Sequence, residues 1–408
     1  MFRGLFDFRN QSFYIRLEII FPILVFILLG LLSLSSTSDL HNFSSPFYKQ
    51  CLWFVIGCFI FTLVQYVRLQ FLYDYSYVFY IILVLLLLIT LFMPRIEGSR
   101  RWIVLGSLQF QPSEFGKILF IASLSRLMTD LKEKDTFSIY FILILFFLML
   151  PPLIVMKQPD LGTAISYLSV IIPILYWTKI KTYMIFFLVS PIVSIFATYQ
   201  LYIYYLWMIL FLVVLVIYRP RIYVALTNII LNISFAISAP YIYDNFLTPY
   251  QQRRIITFLD PLSDPLNTGY QVIQSMISIG SGGFFGKGLG NGTQTHLKFL
   301  PVRDSDFIIS VMGEELGFMA VFFIILCLSF FIYWCFTYAA KIENKYISCL
   351  IVSFGTLIYM HMIINMGMIS GLLPVTGLPA PFISYGGSFF LTCTIMVGLI
   401  NNAINHHL

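Results

Sequence analysis

Lys117 follows Glu114 by three residues in the run Gln111-Pro112-Ser113-Glu114-Phe115-Gly116-Lys117. On a helix that spacing puts ammonium and carboxylate on one face, where they can pair. Proline followed by an acid is a helix-start signal, so Lys117 falls about 8 Å below the start at ~1.5 Å per residue. Two readings follow. Either the pair is satisfied near an interface with Lys117 snorkelling outward, or the cation joins the free N–H groups of a helix N-terminus in an anion site. Arg100 and Arg101, beside Trp102 just upstream, favour the second. Asp160, in Gln158-Pro159-Asp160-Leu161-Gly162-Thr163, reads most simply as a helix N-cap; its alternative is a polar wall residue or metal ligand. Asp306 belongs to Asp304-Ser305-Asp306, which opens an apolar run. An acid in a first helical turn is stabilising whatever its function. The same carboxylate, close to Arg303, could also take a proton from a hydroxyl as a general base.

Other polar residues are less directive. Glu314 and Glu315 lie about 12–14 Å further along the Asp306 helix by rise. Carboxylates at such depth must face the protein interior, partnered or protonated, as structure, cavity floor or proton path. The glycines of 280–292 (GSGGFFGKGLGNG) resemble a phosphate cradle, but no strand precedes them and the dinucleotide spacing is not met. They read as a turn-rich interfacial loop. His361, alone in an apolar run, reads as a hydrogen-bonded core residue, and the reading of His296, in the outer loop, stays open. No HExxH, Cys–His or Ser–His–Asp constellation is present.

The elements that must position these residues are apolar helices. Of 408 residues, 59% are hydrophobic and 10% charged, far from soluble composition. Runs of about 20 apolar residues, each long enough for ~30 Å of hydrocarbon, fall near 17–36, 47–67, 73–93, 112–129, 137–156, 162–178, 182–199, 201–218, 222–243, 306–336, 347–369 and 383–402. The expected fold is therefore an all-α polytopic integral membrane protein, a single domain over 1–408 with a large outer loop at about 245–305. Arg3, Arg9 and Arg16 precede the first run, which lacks a small-residue cleavage site and reads as an anchor. With both termini cytoplasmic, Arg68, Arg126, Lys132, Lys134, Lys179, Lys181, Arg219, Arg221, Lys341 and Lys345 fall inside and fewer cations outside, as the positive-inside bias requires. The site loops then face outward. The proline- and glycine-rich segment 370–388 breaks helix, and such backbone at membrane level is tolerated only inside protein or beside water, which implies a cavity open to the outer face. All six cysteines fall in apolar runs, so no disulfide or metal spacing is expected. The net charge of +6 serves inner-leaflet lipid anchoring; no basic stripe points to nucleic acid.

Together the segments RRWIVLGSLQFQPSEFGK, KQPDLGTA, RRIITFLDPLSDPLNTGYQVIQSMISIGSGGFFGKGLGNGTQ, LPVRDSDFIISVMGEELG and NMGMISGLLPVTGLPAPFISYGGS resemble, in order and over most of the chain, the SEDS family of shape, elongation, division and sporulation proteins (the FtsW/RodA/SpoVE group), nearer its RodA-like members. The resemblance implies a peptidoglycan glycosyltransferase of the bacterial cytoplasmic membrane, joining lipid II into glycan strands at the outer face. Its partners would be a class B penicillin-binding protein and other elongation-complex membrane proteins. The family's essential acid falls on Asp306, its Trp and Lys on Trp102 and Lys117, its arginine on Arg101, and its acid in PDLG on Asp160. An inverting displacement needs one base, not the two carboxylates of a retaining glycosidase. Asp306 would be that base, while Arg101 and Lys117 offset charge on the leaving diphosphate. No cofactor is specified, although a diphosphate admits a divalent cation, Mg or Mn.

Three departures stand out. The family has ten spans against twelve here, the excess being a hairpin within 182–243, which could hold one span or three. Lys298 replaces an acid common before the Leu-Pro of the Asp306 motif, and Val302 and Asp304 replace an acid and a histidine. The competing functions are a lipid II flippase, for which Glu314 and Glu315 would suit alternating access, and a noncatalytic scaffold. Against the flippase, the polar groups crowd one face and no internal repeat is seen.

Overall fold

The computed structural model describes residues 14–96, 99–105, 108–130, 139–245, 249–261, 264–265, 269–297 and 299–408. Arg3, Arg9, Lys132, Lys134 and Lys298 lie outside the described residues. Every apolar run folds as helix: α1 (Leu17–Thr37), α2 (Pro46–Val64), α3 (Leu69–Asp74), α4 (Ser76–Thr90), α5 (Pro112–Asp130), α6 (Ile139–Lys157), α7 (Leu161–Ser169), α8 (Ile171–Trp177), α9 (Thr182–Ala197), α10 (Leu201–Tyr218) and α11 (Ile222–Asn245). A two-stranded hairpin, β1 (Ile103–Leu105) and β2 (Leu108–Phe110), precedes α5. The chain continues through α12 (Pro249–Leu259), α13 (Tyr270–Gly282), α14 (Thr293–His296), α15 (Ile308–Glu315), α16 (Gly317–Lys341), α17 (Lys345–Ile369) and α18 (Gly387–His407). Among the described residues, seven helices are long and apolar enough to cross a membrane: α1, α2, α10, α11, α16, α17 and α18.

Several expected continuous spans are interrupted. Tyr75 separates α3 from α4, Val170 separates α7 from α8, and Leu316 separates α15 from α16. The last break is steric: Gly317 has φ +76, and a Cβ there would run into the backbone of Phe284, Phe285 and Gly286. The 182–243 segment, which the sequence left as one span or three, forms three separate helices.

The chain forms two compact units, Met1–Ile174 with Pro261–Leu408, and Leu175–Asp260. In the second, α9, α10 and α11 share a small polar core. Ser194 donates to Asn232 Oδ1 (2.6 Å), Asn232 donates to Ser190 (3.0 Å), and Trp207 Nε1 donates to Ser194 (3.0 Å). In the first, α17 and α18 are central, with 83% and 78% of their apolar windows buried, whereas α2 buries only 17% of its own. Small residues set the close approaches: a Cβ on Gly30 of α1 would stand 2.6 Å from the Ile383 carbonyl oxygen.

The region expected as one outer loop, about 245–305, instead contains α12, α13 and α14. Helix α13 packs on α15, with the Ser275 and Ser310 hydroxyls 2.7 Å apart and Ser275 also donating to the Ile369 carbonyl (2.7 Å). Gly282 meets the Gly313 carbonyl oxygen so closely that no Cβ fits. Serine and glycine make these close helix contacts, while Phe284, Phe285, Leu289 and Leu297 stay exposed. Gly282→Ala should destabilise the protein by about 1–3 kcal/mol through overpacking, read as a lowered Tm in detergent; an unchanged Tm would contradict so tight a contact.

Candidate active site

Lys117, one turn into α5, is 1% exposed. It does not snorkel, contrary to the bland expectation, because α17 and α18 cover it. Its ammonium donates to both Glu114 oxygens at 2.9 Å and meets His361 Nε2 of α17 at 3.2 Å. An ammonium has three N–H groups and no lone pair, so each donor has a partner and Nε2 is the acceptor. Phe389 of α18 lies 5.3 Å from Nζ, ring centroid to nitrogen, and 5.0 Å from the imidazole. His361 is a buried, hydrogen-bonded core residue as expected, yet its partner is the site lysine. Sequence reasoning did not place it in the site; an isolated imidazole in an apolar run was the only signal.

Beside this pair lies a second one. Asp160 is the N-cap of α7: Oδ1 accepts from the Thr163 N–H (3.2 Å), a bond that satisfies an orphan helix donor. Its Oδ2 accepts from Gln111 Nε2 (3.3 Å) and stands 3.7 Å from Arg101 Nη1. The capping and site readings of Asp160 therefore describe the same side chain. Arg101 also donates to Ser99 Oγ (2.7 Å) and keeps its side chain 34% exposed. The β1–β2 hairpin, paired Ile103 to Phe110, brings Trp102 and Gln111 together at its open end. Trp102 is half-buried. Arg100 is drawn elsewhere: exposed, it donates to the Leu91 carbonyl (2.8 Å).

Asp306 sits in the turn ahead of α15, whose N-cap is Phe307, with no side-chain cap bond. The turn is gripped from the C-terminal segments. Tyr385 N–H donates to the Asp304 carbonyl (2.9 Å), Ser384 Oγ to Ser305 (2.6 Å), and Asn365 Nδ2 to both Asp306 (2.9 Å) and Leu378 (2.8 Å). Arg303 ties the other side, donating to the carbonyls of Thr295 and Thr37. The 370–388 segment is irregular as expected, and Leu378, Ala380 and Ile383 in it are buried. A Cβ on Gly377 would lie 3.5 Å from Asp306 Oδ2, and one on Gly162 of α7 would lie 2.6 Å from the Thr376 carbonyl oxygen. Residues 376–378 thus run between the Asp306 turn and the start of α7, next to Asp160. The half-buried Asp306 carboxyl and the turn of α7 that follows Asp160 approach the same strip of backbone.

Glu314 and Glu315 face inward, as their depth demanded. Glu314 Oε1 accepts from Lys287 Nζ (2.7 Å), Thr293 Oγ1 (3.1 Å) and Gln294 N (3.0 Å). Its Oε2 accepts from Thr295 N (3.2 Å), Thr295 Oγ1 (2.9 Å) and Ser278 Oγ (3.2 Å). The glycine-rich segment, with Gly283, Gly286, Gly288 and Gly290 at positive φ, is a turn-rich loop folded around an internal carboxylate. Glu315 accepts from Ser36 (2.6 Å) and meets His296 Nε2 at 3.3 Å.

Fold and site together define a polytopic helical protein in which a saturated, buried ammonium, a half-exposed arginine and a clamped carboxylate turn belong to one compact unit. The chain belongs to the FtsW/RodA/SpoVE family of cell cycle proteins, whose profile matches residues 11–206 and 202–408. It is similar to the peptidoglycan glycosyltransferase RodA of Treponema pallidum (strain Nichols), at 29% identity over 98% of both chains. It is also similar to the peptidoglycan glycosyltransferase MrdB of Escherichia coli (strain K12), at 30% identity over 76% of this chain and 72% of that one. A solved chain described in "Structural coordination of polymerization and crosslinking by a peptidoglycan synthase complex" shares the fold, with a TM-score of 0.71 and 24% identity over 97% of this chain and 99% of that one.

Removing one member of a buried ion pair strands the other. Glu114→Leu should therefore cost about 3–5 kcal/mol, and adding Lys117→Met should recover much of it. Thermal unfolding of the two variants measures this; a double variant no more stable than Glu114→Leu would mean that a stranded ammonium is not what costs the stability.

Proposed function

We propose that this protein is a peptidoglycan glycosyltransferase that polymerises lipid II into glycan strands at the outer face of the bacterial cytoplasmic membrane, serving wall elongation and cell shape. Family membership and the names borne by its relatives support the activity. The Lys/Arg bias supports an orientation with both termini in the cytoplasm. The observation that carries the reading is that the Asp306 carboxyl and the start of α7, capped by the Asp160 that pairs with Arg101, both approach residues 376–377.

The chemistry is a single displacement at the donor's anomeric carbon. Asp306 takes the proton of the acceptor's 4-hydroxyl as its oxygen bonds to that carbon. The bond from the carbon to the diphosphate oxygen breaks, the electron pair leaves with the polyprenyl diphosphate, and the α linkage becomes β. One base suffices for inversion. The backbone clamps on Asp304, Ser305 and Asp306 hold the base without occupying its carboxylate through those bonds, a form of preorganisation. Charge developing on the leaving group is met by Arg101, whose planar fork suits phosphate oxygens. Lys117 acts behind it, fixing Glu114 and the start of α5. Trp102, at the hairpin edge, offers a flat apolar face to the donor, and Arg100 adds to the local positive potential.

A divalent cation, Mg or Mn, would find no group of three His, Cys, Asp or Glu among the described residues. The donor's own diphosphate would have to supply much of its coordination, as Mg commonly requires; Asp306 and Asp304 are the carboxylates of the turn that could complete it. The substrate's crosslinking fate makes a class B penicillin-binding protein and other elongation-complex membrane proteins the partners we propose. A transporter reading would rely on Glu314 and Glu315, but Glu314 is occupied by the six donors of its own loop and helix.

Purified protein, alone and with its cognate penicillin-binding protein, should convert labelled lipid II into polymer, and Asp306→Ala should lower the rate at least about 100-fold while leaving Tm near wild type. Undiminished synthesis by the variant would remove Asp306 from the mechanism. A wild type that makes no polymer yet moves lipid II across vesicle bilayers would replace the enzyme with a flippase.

A further inference from the structure

His361 is the buried titratable group that the chemistry above does not use. We infer that His361 is a positioning residue for the transfer: by accepting the third N–H of Lys117 it fixes the start of α5, and through α17 it sets that helix against the Asp306 turn. This inference rests on the glycosyltransferase reading.

The geometry is specific. Glu114 takes two N–H groups of Lys117 at 2.9 Å and His361 Nε2 takes the remaining one at 3.2 Å. An imidazole can accept from an ammonium only at an unprotonated nitrogen, so Nε2 carries no proton when it takes this bond. Phe389 packs against both the ring and the ammonium, 5.0 and 5.3 Å away. One helical turn on, about 6 Å by rise, Asn365 on the same face of α17 donates to the carbonyls of Asp306 and Leu378. A single helix face thus carries one bond to the buried cation and two to the backbone around the proposed base.

Removing Nε2 leaves an ammonium N–H buried without an acceptor, a state costly enough to drive rearrangement. Lys117 would shift and carry Glu114 with it. Gln111, three residues before Glu114, donates to Asp160, which pairs with Arg101. The displacement therefore reaches the half-exposed cation that meets the charge developing on the leaving group. Its effect belongs in kcat and not in KM.

The test is lipid II polymerisation by the full-length protein with its cognate penicillin-binding protein, comparing wild type, His361→Leu, His361→Gln and His361→Asn, with Tm recorded for each. His361→Leu should lower kcat about tenfold or more with KM within about threefold. His361→Gln, whose carbonyl oxygen can reach Nζ, should stay within about threefold of wild type. His361→Asn keeps an amide but loses reach; it should fall with the leucine variant, and it carries the comparison if the leucine variant does not fold. Leucine and asparagine variants with wild-type kcat, a loss confined to KM, or a glutamine variant as impaired as leucine would each overturn the assignment. Absence of polymer from the wild type would instead overturn the glycosyltransferase reading itself, so the two failures are distinguishable.

Discussion

A buried ammonium admits few solutions. Desolvation costs several kcal/mol per ion even after relaxation, and only complete partnering offsets it. Lys117 is partnered on every N–H, by a carboxylate on its own helix and an imidazole on another. Helices α5, α17 and α18 must converge on that one nitrogen, since Glu114, His361 and Phe389 come from all three. Much of the first unit's register follows, because a rotation of α17 that frees Nε2 also withdraws Asn365 from Asp306.

A second constraint acts on the backbone. Irregular chain buried among apolar helices needs internal partners for its N–H and C=O groups. Residues 376–385 find several of theirs in the 304–306 turn and in Asn365. Two helix-breaking segments thereby satisfy one another, and the proposed base is placed where they meet. The hydrogen bonds that make the 370–388 segment tolerable are the same ones that orient the Asp306 turn.

Legibility from sequence followed distance along the chain. The Glu114–Lys117 pair and the Asp160 cap were readable because spacing of three residues fixes both. The twelve apolar runs were readable from composition. Whether Lys117 snorkels or is sealed depends on which helices cover it, and its partner His361 is 244 residues away. The glycine-rich segment looked like a cradle for an external anion; the anion it holds is Glu314, which local motif matching does not consider. The breaks at Tyr75, Val170 and Leu316 fall inside runs long enough to read as continuous spans. The Leu316 break depends on backbone contact with residues 284–286, about thirty positions upstream. The ordered outer loop at 245–305 was readable from its retained apolar residues, but its helices α12, α13 and α14 and the packing of α13 on α15 were not, because those contacts come from distant residues.

The ordering of contacts along the chain bears on biogenesis. Glu314 closes with residues 19 to 36 positions before it, so α13, the glycine loop and α15 can assemble as soon as that stretch leaves the ribosome, with little loop-closure entropy. The Asp306 turn has no such independence. Its fixing bonds come from Asn365 and Ser384, 59 and 79 residues later in sequence. A nascent chain that has already inserted Arg101, Lys117, Asp160 and Asp306 therefore still lacks the groups that fix the Asp306 turn. The Asp306 turn is fixed only once α17 and the segment leading into α18 have docked, late in the synthesis of the chain.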